Sequence, residues 1–131
     1  MLENIYNRFR ADKFATEILK ININSINEGR AKASLQVRKE HLNGVELCQG
    51  GVIYSLADFT CAMAANSYGP VCVSVENSII YKRAVRNEEI MIADAEVVSR
   101  NNRIVECECV ITVNYEIRAI MKSKLLSEKT Q

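Results

Sequence analysis

Residues 50–70 read GGVIYSLADFTCAMAANSYGP, and this stretch decides the fold. Gly50 and Gly51 open an apolar run that continues to about Asn66, and Gly69-Pro70 ends it, which is the punctuation of a helix. Val52, Leu56, Phe59 and Met63 recur at helical spacing and form one large apolar stripe, expected to face a sheet. The rest of the helix is apolar as well, so it is expected to be covered on most sides. A flat sheet covers only one side. A curled sheet or a second subunit must supply the remaining cover.

Downstream of this helix the pattern changes to period two, the signature of strands. Val71, Val73 and Val75 start an alternation that reaches Tyr81, and Ile90 to Val98 carries a second. Val105, Cys107, Cys109, Ile111 and Val113 carry a third, with Glu106 and Glu108 on the other face, and Ile117 to Leu125 reads as a last strand. Arg100-Asn101-Asn102-Arg103 reads as a hairpin turn, because Asn tolerates positive φ. Upstream, residues 3–12 read as a short helix and Ile21 to Ile23 as a strand. Asn27-Glu28-Gly29 is a turn into a partner strand in which Ala31, Ala33, Leu35 and Val37 alternate with polar residues. Residues 39–49 read as a loop. Helix, two strands, long helix and four strands predict an α+β fold: about six antiparallel strands laid over one central helix.

Composition bounds the function. With 131 residues the chain is expected to form one domain over 1–131. Hydrophobic residues make up 48% and charged residues 25%, as in ordinary globular proteins. A net charge of +1 argues against a nucleic-acid partner. The most apolar stretch, Val52 to Ala65, is too short and too polar to span a bilayer. The start, MLENIYNRFRADK, has no apolar leader. Five cysteines, Cys48, Cys61, Cys72, Cys107 and Cys109, include no C-x-x-C pair and are expected to be reduced, buried thiols of a cytoplasmic protein.

Chemistry concentrates on the helix. Asp58 is the only charged residue between Glu46 and Glu76. It lies off the large apolar stripe, beside Tyr54, Ser55 and Ala62, on a flank that suits the approach of another chain or a ligand. A carboxylate in apolar surroundings needs hydrogen-bond partners, and burial makes it a better proton acceptor near neutral pH. A structural Asp that faces solvent or a hydroxyl accounts for the spacing equally well. Gly50 and Gly51 add a second feature. A helix start leaves backbone N–H groups unpaired, and glycines let a substrate oxygen reach them, as an oxyanion hole requires. A plain turn before a helix is the competing reading.

Residues 41–58, HLNGVELCQGGVIYSLAD, resemble the hotdog-fold acyl-CoA thioesterases of the PaaI-like group, and the likeness continues through Asn66-Ser67-Tyr68-Gly69 and over nearly the whole chain. Its core is Asn43, then Gly50 seven residues on, then Asp58 eight further. The resemblance implies a hotdog fold, a long helix wrapped by a curved antiparallel sheet, assembled as a homodimer or dimer of dimers with sites at the subunit interface. It implies hydrolysis of an acyl- or aryl-CoA thioester, with CoA part of the substrate and no further cofactor or metal. Asp58 matches the acid that activates water or attacks the thioester, and Gly50 the backbone N–H that polarises the carbonyl. Asn43 matches the polar residue that helps hold the reacting groups, and Ser74 a serine that positions the water. Asp58 and Ser74 would come from one subunit, Asn43 and Gly50 from the other. Gln49 stands where the family usually has His, and it keeps a donor but cannot become cationic. Ala84 follows Arg83 where relatives often have Pro.

Other residues carry weaker signals. His41 is the only histidine, which leaves little room for a Cys-His or Ser-His-Asp centre, and it is expected to be exposed at the start of the loop. Gly51 and three arginines, Arg83, Arg86 and Arg103, are the candidates for binding the substrate, the arginines as a cradle for CoA phosphates alongside Lys82 and Arg100. Tyr54, Phe59 and Tyr68 are candidates for an aromatic pocket, and core packing would explain them too. A non-catalytic acyl-CoA-binding module is the main alternative function. A hotdog dehydratase ranks below it, because it needs a histidine in the site.

Overall fold

A computed structural model of the chain describes residues 1–129. The chain runs through α1 (Leu2–Arg10), a π-helical turn (Phe14–Ile18), β1 (Asn22–Asn27), β2 (Arg30–Gln36), a 3-10 turn (Lys39–His41) and α2 (Gly50–Asn66). Strands β3 (Cys72–Tyr81), β4 (Ile90–Asn101), β5 (Ile104–Val113) and β6 (Glu116–Ser127) follow. All six strands form one antiparallel sheet in the order β1-β2-β4-β5-β6-β3. The sheet curls around α2, which touches every strand.

The inner face of the sheet explains how the helix fits. Ala31 pairs with Ala95 and Ala33 with Ala93, and all four are fully buried. These small side chains on the two strands let the helix backbone come close. Larger residues, Cys107, Cys109 and Ile111 on β5 with Met121 and Leu125 on β6, fill the other side. Leu56 and Met63 of the predicted stripe are fully buried. Phe59 instead packs edge-on against Phe9 of α1, ring centres 5.5 Å apart at 78°. The N-terminal helix therefore supplies part of the missing cover, through Ile5 and Phe9. The π-helical turn continues that cover, and no sequence signal announced it. All five cysteines are buried and unpaired.

Two joints hold the helix to the sheet. Asn66 at its end accepts from Cys72 N–H at 3.1 Å and donates to Cys72 O at 3.0 Å, fixing the turn into β3. Ser67 donates to Ala64 O and accepts from Gly29 N–H, each at 2.7 Å. Gly29 sits at φ +74°, and a Cβ there would lie 2.4 Å from the Tyr68 hydroxyl. A side chain at Gly29 is strained by that φ and requires Tyr68 to shift. Asn102 takes positive φ in the predicted β4–β5 turn. Among the described residues no helix is long and apolar enough to cross a membrane.

Candidate active site

Asp58 is half-buried on α2, one helical turn after Tyr54. Ser74 Oγ donates to its Oδ1 at 2.7 Å, and Asn77 Nδ2 donates to the same oxygen at 2.8 Å. Strict alternation would send Ser74 and Asn77 to opposite faces of β3. A β-bulge between Ser74 and Glu76 inserts one residue, so Ser74 pairs with Leu125 and Asn77 with Ser123, both inward-facing. Asn77 Nδ2 also donates to the Tyr54 hydroxyl at 3.1 Å. The family resemblance points to Ser74 and not to Asn77, because the bulge that turns Asn77 inward leaves no mark in the residue pattern. Asp58 opens onto a cavity of about 170 Å³ walled by Phe9, Phe14, Leu19, Tyr54 and Phe59. Tyr68 is not part of it: the Arg100 guanidinium stacks on its ring at 3.4 Å, and its hydroxyl lies over Gly29.

The start of α2 forms a second, separate cavity of about 280 Å³, lined by Asn43, Cys48, Gly50, Tyr81 and Arg83 among others. Gln49 is the N-cap, with extended backbone and its Oε1 accepting from Gly51 N–H at 2.5 Å. That caps one of the helix's orphan donors. Gly50 N–H has no acceptor among the described residues. The Gly50 carbonyl accepts from the Tyr81 hydroxyl at 2.8 Å, so Tyr81 braces the glycine without touching its N–H. Asn43 Oδ1 accepts from Val45 N–H at 3.0 Å and Leu47 N–H at 3.1 Å, which builds the loop that carries the chain to Gln49. The Asn43 Nδ2 protons have no acceptor among the described residues. Cys48 is the thiol in this cavity, and burial pushes it up to about 11, so it stays protonated at neutral pH.

His41 is buried, not exposed as its place in the loop suggested. Its Nδ1 accepts from Arg38 N–H at 3.0 Å and its carbonyl takes Gln49 N–H at 2.8 Å. The loop folds back over the imidazole, and the ring becomes an internal brace for the approach to α2. Among the described residues no group of His, Cys, Asp and Glu converges as a metal site.

The arginines separate into two groups. Arg83 and Arg86 lie between β3 and β4 and line a cavity of about 290 Å³ with Glu89, Glu116 and Arg118. Arg83 also borders the Gly50 cavity, so the two cavities adjoin at this residue. Its guanidinium is 3.5 Å from Glu116 and exposed. Arg118 holds the connection in place: it donates to both Glu89 carboxylate oxygens at 3.0 Å and to Ala84 O at 2.8 Å. That pairing holds the Glu89 carboxyl below its ordinary value. Arg103 lies in the turn at the far end of β4, where its Nε donates to Ser127 O at 2.9 Å. The length of β4, 12 residues or at most about 36 Å at about 3.3 Å per residue, separates it from Arg83 and Arg86. One chain cannot bring all three to one ligand.

Asp58 and Gly50 are likewise apart, by eight residues of helix or about 12 Å at 1.5 Å per residue. One chain thus offers a held carboxylate at one place and an unpaired helix-start N–H at another.

Known proteins share this arrangement of elements. The model of the family described as Thioesterase superfamily matches residues 47–115, from just before α2 through β5. An Archaeoglobus fulgidus protein carrying an esterase name is 37% identical over 103 residues, covering 79% of this chain and 67% of that protein. The acyl-coenzyme A thioesterase PaaI of Escherichia coli K12 is 34% identical over 95 residues, 72% of this chain and 67% of that one. The solved structure of the E. coli PaaI protein from the phenylacetic acid degradation operon superposes with a TM-score of 0.92 at 26% identity, over 99% of this chain and 94% of that chain. A curled antiparallel sheet around one long helix, a family match centred on that helix and a likeness to PaaI that runs the length of the chain together establish a PaaI-like thioester hydrolase with the hotdog fold, a member of the thioesterase superfamily.

Proposed function

We propose that the chain hydrolyses the thioester bond of an acyl-CoA to a free acid and CoA, working as a homodimer or a dimer of dimers. In each site Asp58 and Ser74 of one chain face Asn43, Gln49, Gly50 and Gly51 of the other. The substrate class follows the E. coli relative's name, acyl-coenzyme A thioesterase. The observation that carries the two-chain site is the roughly 12 Å of helix between Asp58 and the open Gly50 N–H. A base must reach the attacking water within hydrogen-bond distance, and the donor must sit within about 3 Å of the developing oxyanion. One chain cannot meet both requirements at one carbonyl. A second copy can, because β3 is an edge strand with an open backbone and exposed Val73, Val75, Ile80 and Tyr81. An unpaired apolar edge of that kind invites pairing with another chain.

The chemistry then runs as follows. The Asp58 carboxylate takes a proton from water as the water oxygen attacks the thioester carbonyl carbon. Negative charge develops on the carbonyl oxygen and is met by Gly50 N–H at the positive end of α2. Gln49 Nε2 is a further donor. Collapse of the intermediate breaks the C–S bond, and the CoA sulfur leaves with the proton that Asp58 took from water, which restores the carboxylate. Arg83, which borders the Gly50 cavity, and Arg86 in the adjoining one would meet the CoA phosphates. No resident cofactor enters these steps. Buried, unpaired thiols suit a reducing cytoplasm.

Asp58→Asn is the test. It keeps the shape and removes the base, so kcat should fall about a hundredfold or more with folding and assembly intact. A folded Asp58→Asn dimer that turns over acyl-CoA at the wild-type rate overturns the assignment.

A further inference from the structure

We infer that Asn77 is a positioning residue for this reaction, holding Asp58 with Oδ1 occupied so that Oδ2 is the oxygen that takes the proton from water. The inference rests on the assignment of Asp58 made above.

A carboxylate's terminal torsion is soft and nearly two-fold, so an unheld Asp exchanges its two oxygens freely. Here two donors converge on one of them. Ser74 Oγ at 2.7 Å and Asn77 Nδ2 at 2.8 Å both point at Oδ1, and Oδ2 accepts no hydrogen bond among the described residues. An ionised carboxylate oxygen offers two lone-pair sites, and on Oδ1 both are taken. The free lone pairs belong to Oδ2. The two donors are not equivalent. Ser74 is exposed, and its hydroxyl can rotate away. Asn77 is partly buried, and its second Nδ2 proton is tied to the Tyr54 hydroxyl at 3.1 Å. The amide is therefore anchored at two points on α2, four residues apart on one helix face.

The other end of the amide argues the same way. Asn77 Oδ1 is buried and has no partner among the described residues. A buried acceptor without a donor is unfavourable, and packing alone gives no reason to keep one. Turning the amide over would set two acceptors, Asn77 Oδ1 and Asp58 Oδ1, against each other. The orientation is dictated by Asp58, and the orphaned oxygen is its consequence. The bulge after Ser74 is what brings the amide inward, so the device is built into the edge strand that β3 presents.

Asn77→Leu removes both donations with little change of volume. The expected result is a fall in kcat of roughly tenfold to a hundredfold, the effect of a misplaced catalytic group, with KM within about twofold. Asn77→Asp keeps the shape and replaces the donor by an acceptor, and kcat should fall at least as far. A packing role predicts kcat near wild-type in Asn77→Leu, with the change confined to the melting temperature. If Asn77→Leu fails to fold, Asn77→Ala, which removes the same two donations without adding charge, decides. Because Ser74 and Asn77 act through one oxygen, the losses in Ser74→Ala and Asn77→Leu should not multiply in the double variant. Asp58→Asn is run alongside. Wild-type activity in that variant removes the underlying reading. An inactive Asp58→Asn beside Asn77 variants with normal kcat overturns this inference alone.

Discussion

Replacing Gly50 by proline removes the backbone N–H and sets a pyrrolidine ring in its place. Gly50 is the first residue of α2, where proline is well tolerated because its missing N–H has no helical partner. The residue before it, Gln49, sits at φ −61° and ψ 132°, the extended conformation that a following proline requires. The crowding is also readable. A Cβ at Gly50 would meet the Tyr81 hydroxyl at 3.2 Å and Cζ at 3.3 Å, so Tyr81, which is 48% exposed, must yield by a few tenths of an ångström. Gly50→Ala carries the same Cβ and keeps the N–H, which makes it the steric control. Removing one donor aimed at a developing oxyanion is worth about 2.7–4 kcal/mol, a loss of about 10²–10³ in kcat. Gly50→Pro should lose that much, and Gly50→Ala should stay within about tenfold of wild type. Thiol release from acyl-CoA, followed by steady-state kinetics, measures both. Melting temperatures should stay within about 5 °C, since the proline restricts the unfolded chain while the Tyr81 contact opposes it. Equal losses in the two variants would refute the reasoning, because the effect would then belong to the Cβ and not to the N–H.

Two more outcomes follow from contacts already described. Gln49→Glu keeps an acceptor for Gly51 N–H and places negative charge at the helix start, so the melting temperature should hold or rise. It also removes the Nε2 donor, and kcat/KM should fall by about tenfold or more; unchanged kinetics would make Gln49 a helix cap only. Glu89 has its carboxyl lowered from 4.5 chiefly by hydrogen bonding to Arg118. A depressed carboxyl stabilises the fold above its unfolded value, and that stability fades as pH falls through the folded value. Thermal melts of Glu89→Gln and wild type should therefore differ at neutral pH and converge only as the pH falls below the ordinary carboxylate range. A constant difference across that range would show that the pair contributes no linked stability.

The limits of the long helix were legible because three independent signals agree: a glycine pair at its start, an apolar run with one charge, and a Gly-Pro stop. The structure ends it at Asn66. The alternating strands were legible for the same reason, since one face of each lies on that helix. What was hidden depended on irregularity. Val71, Val73 and Val75 read as a regular alternation, yet the bulge beside Val75 breaks it and brings Asn77 to the side of Ser74. Residue types gave no sign of an inserted residue. The π-helical turn at Phe14–Ile18 is too short for any periodicity to show, although Phe14 walls the Asp58 cavity. His41 was read as exposed from its place in a polar loop, and it is buried because that loop closes over it. The separation of Arg103 from Arg83 and Arg86 follows from strand pairing, which clustering in sequence does not convey.

Mixed assembly decides whether each site is built from two chains, as proposed above. Asp58→Asn and Gly50→Pro chains are each expected to be nearly inactive. When the two are refolded together, about half of the dimers are mixed, and each mixed dimer holds one site with both residues intact. The mixture should recover about a quarter of wild-type activity per chain under random pairing. A mixture no more active than the sum of its parents would contradict the account, since it would mean that Asp58 and Gly50 of the same chain serve one site.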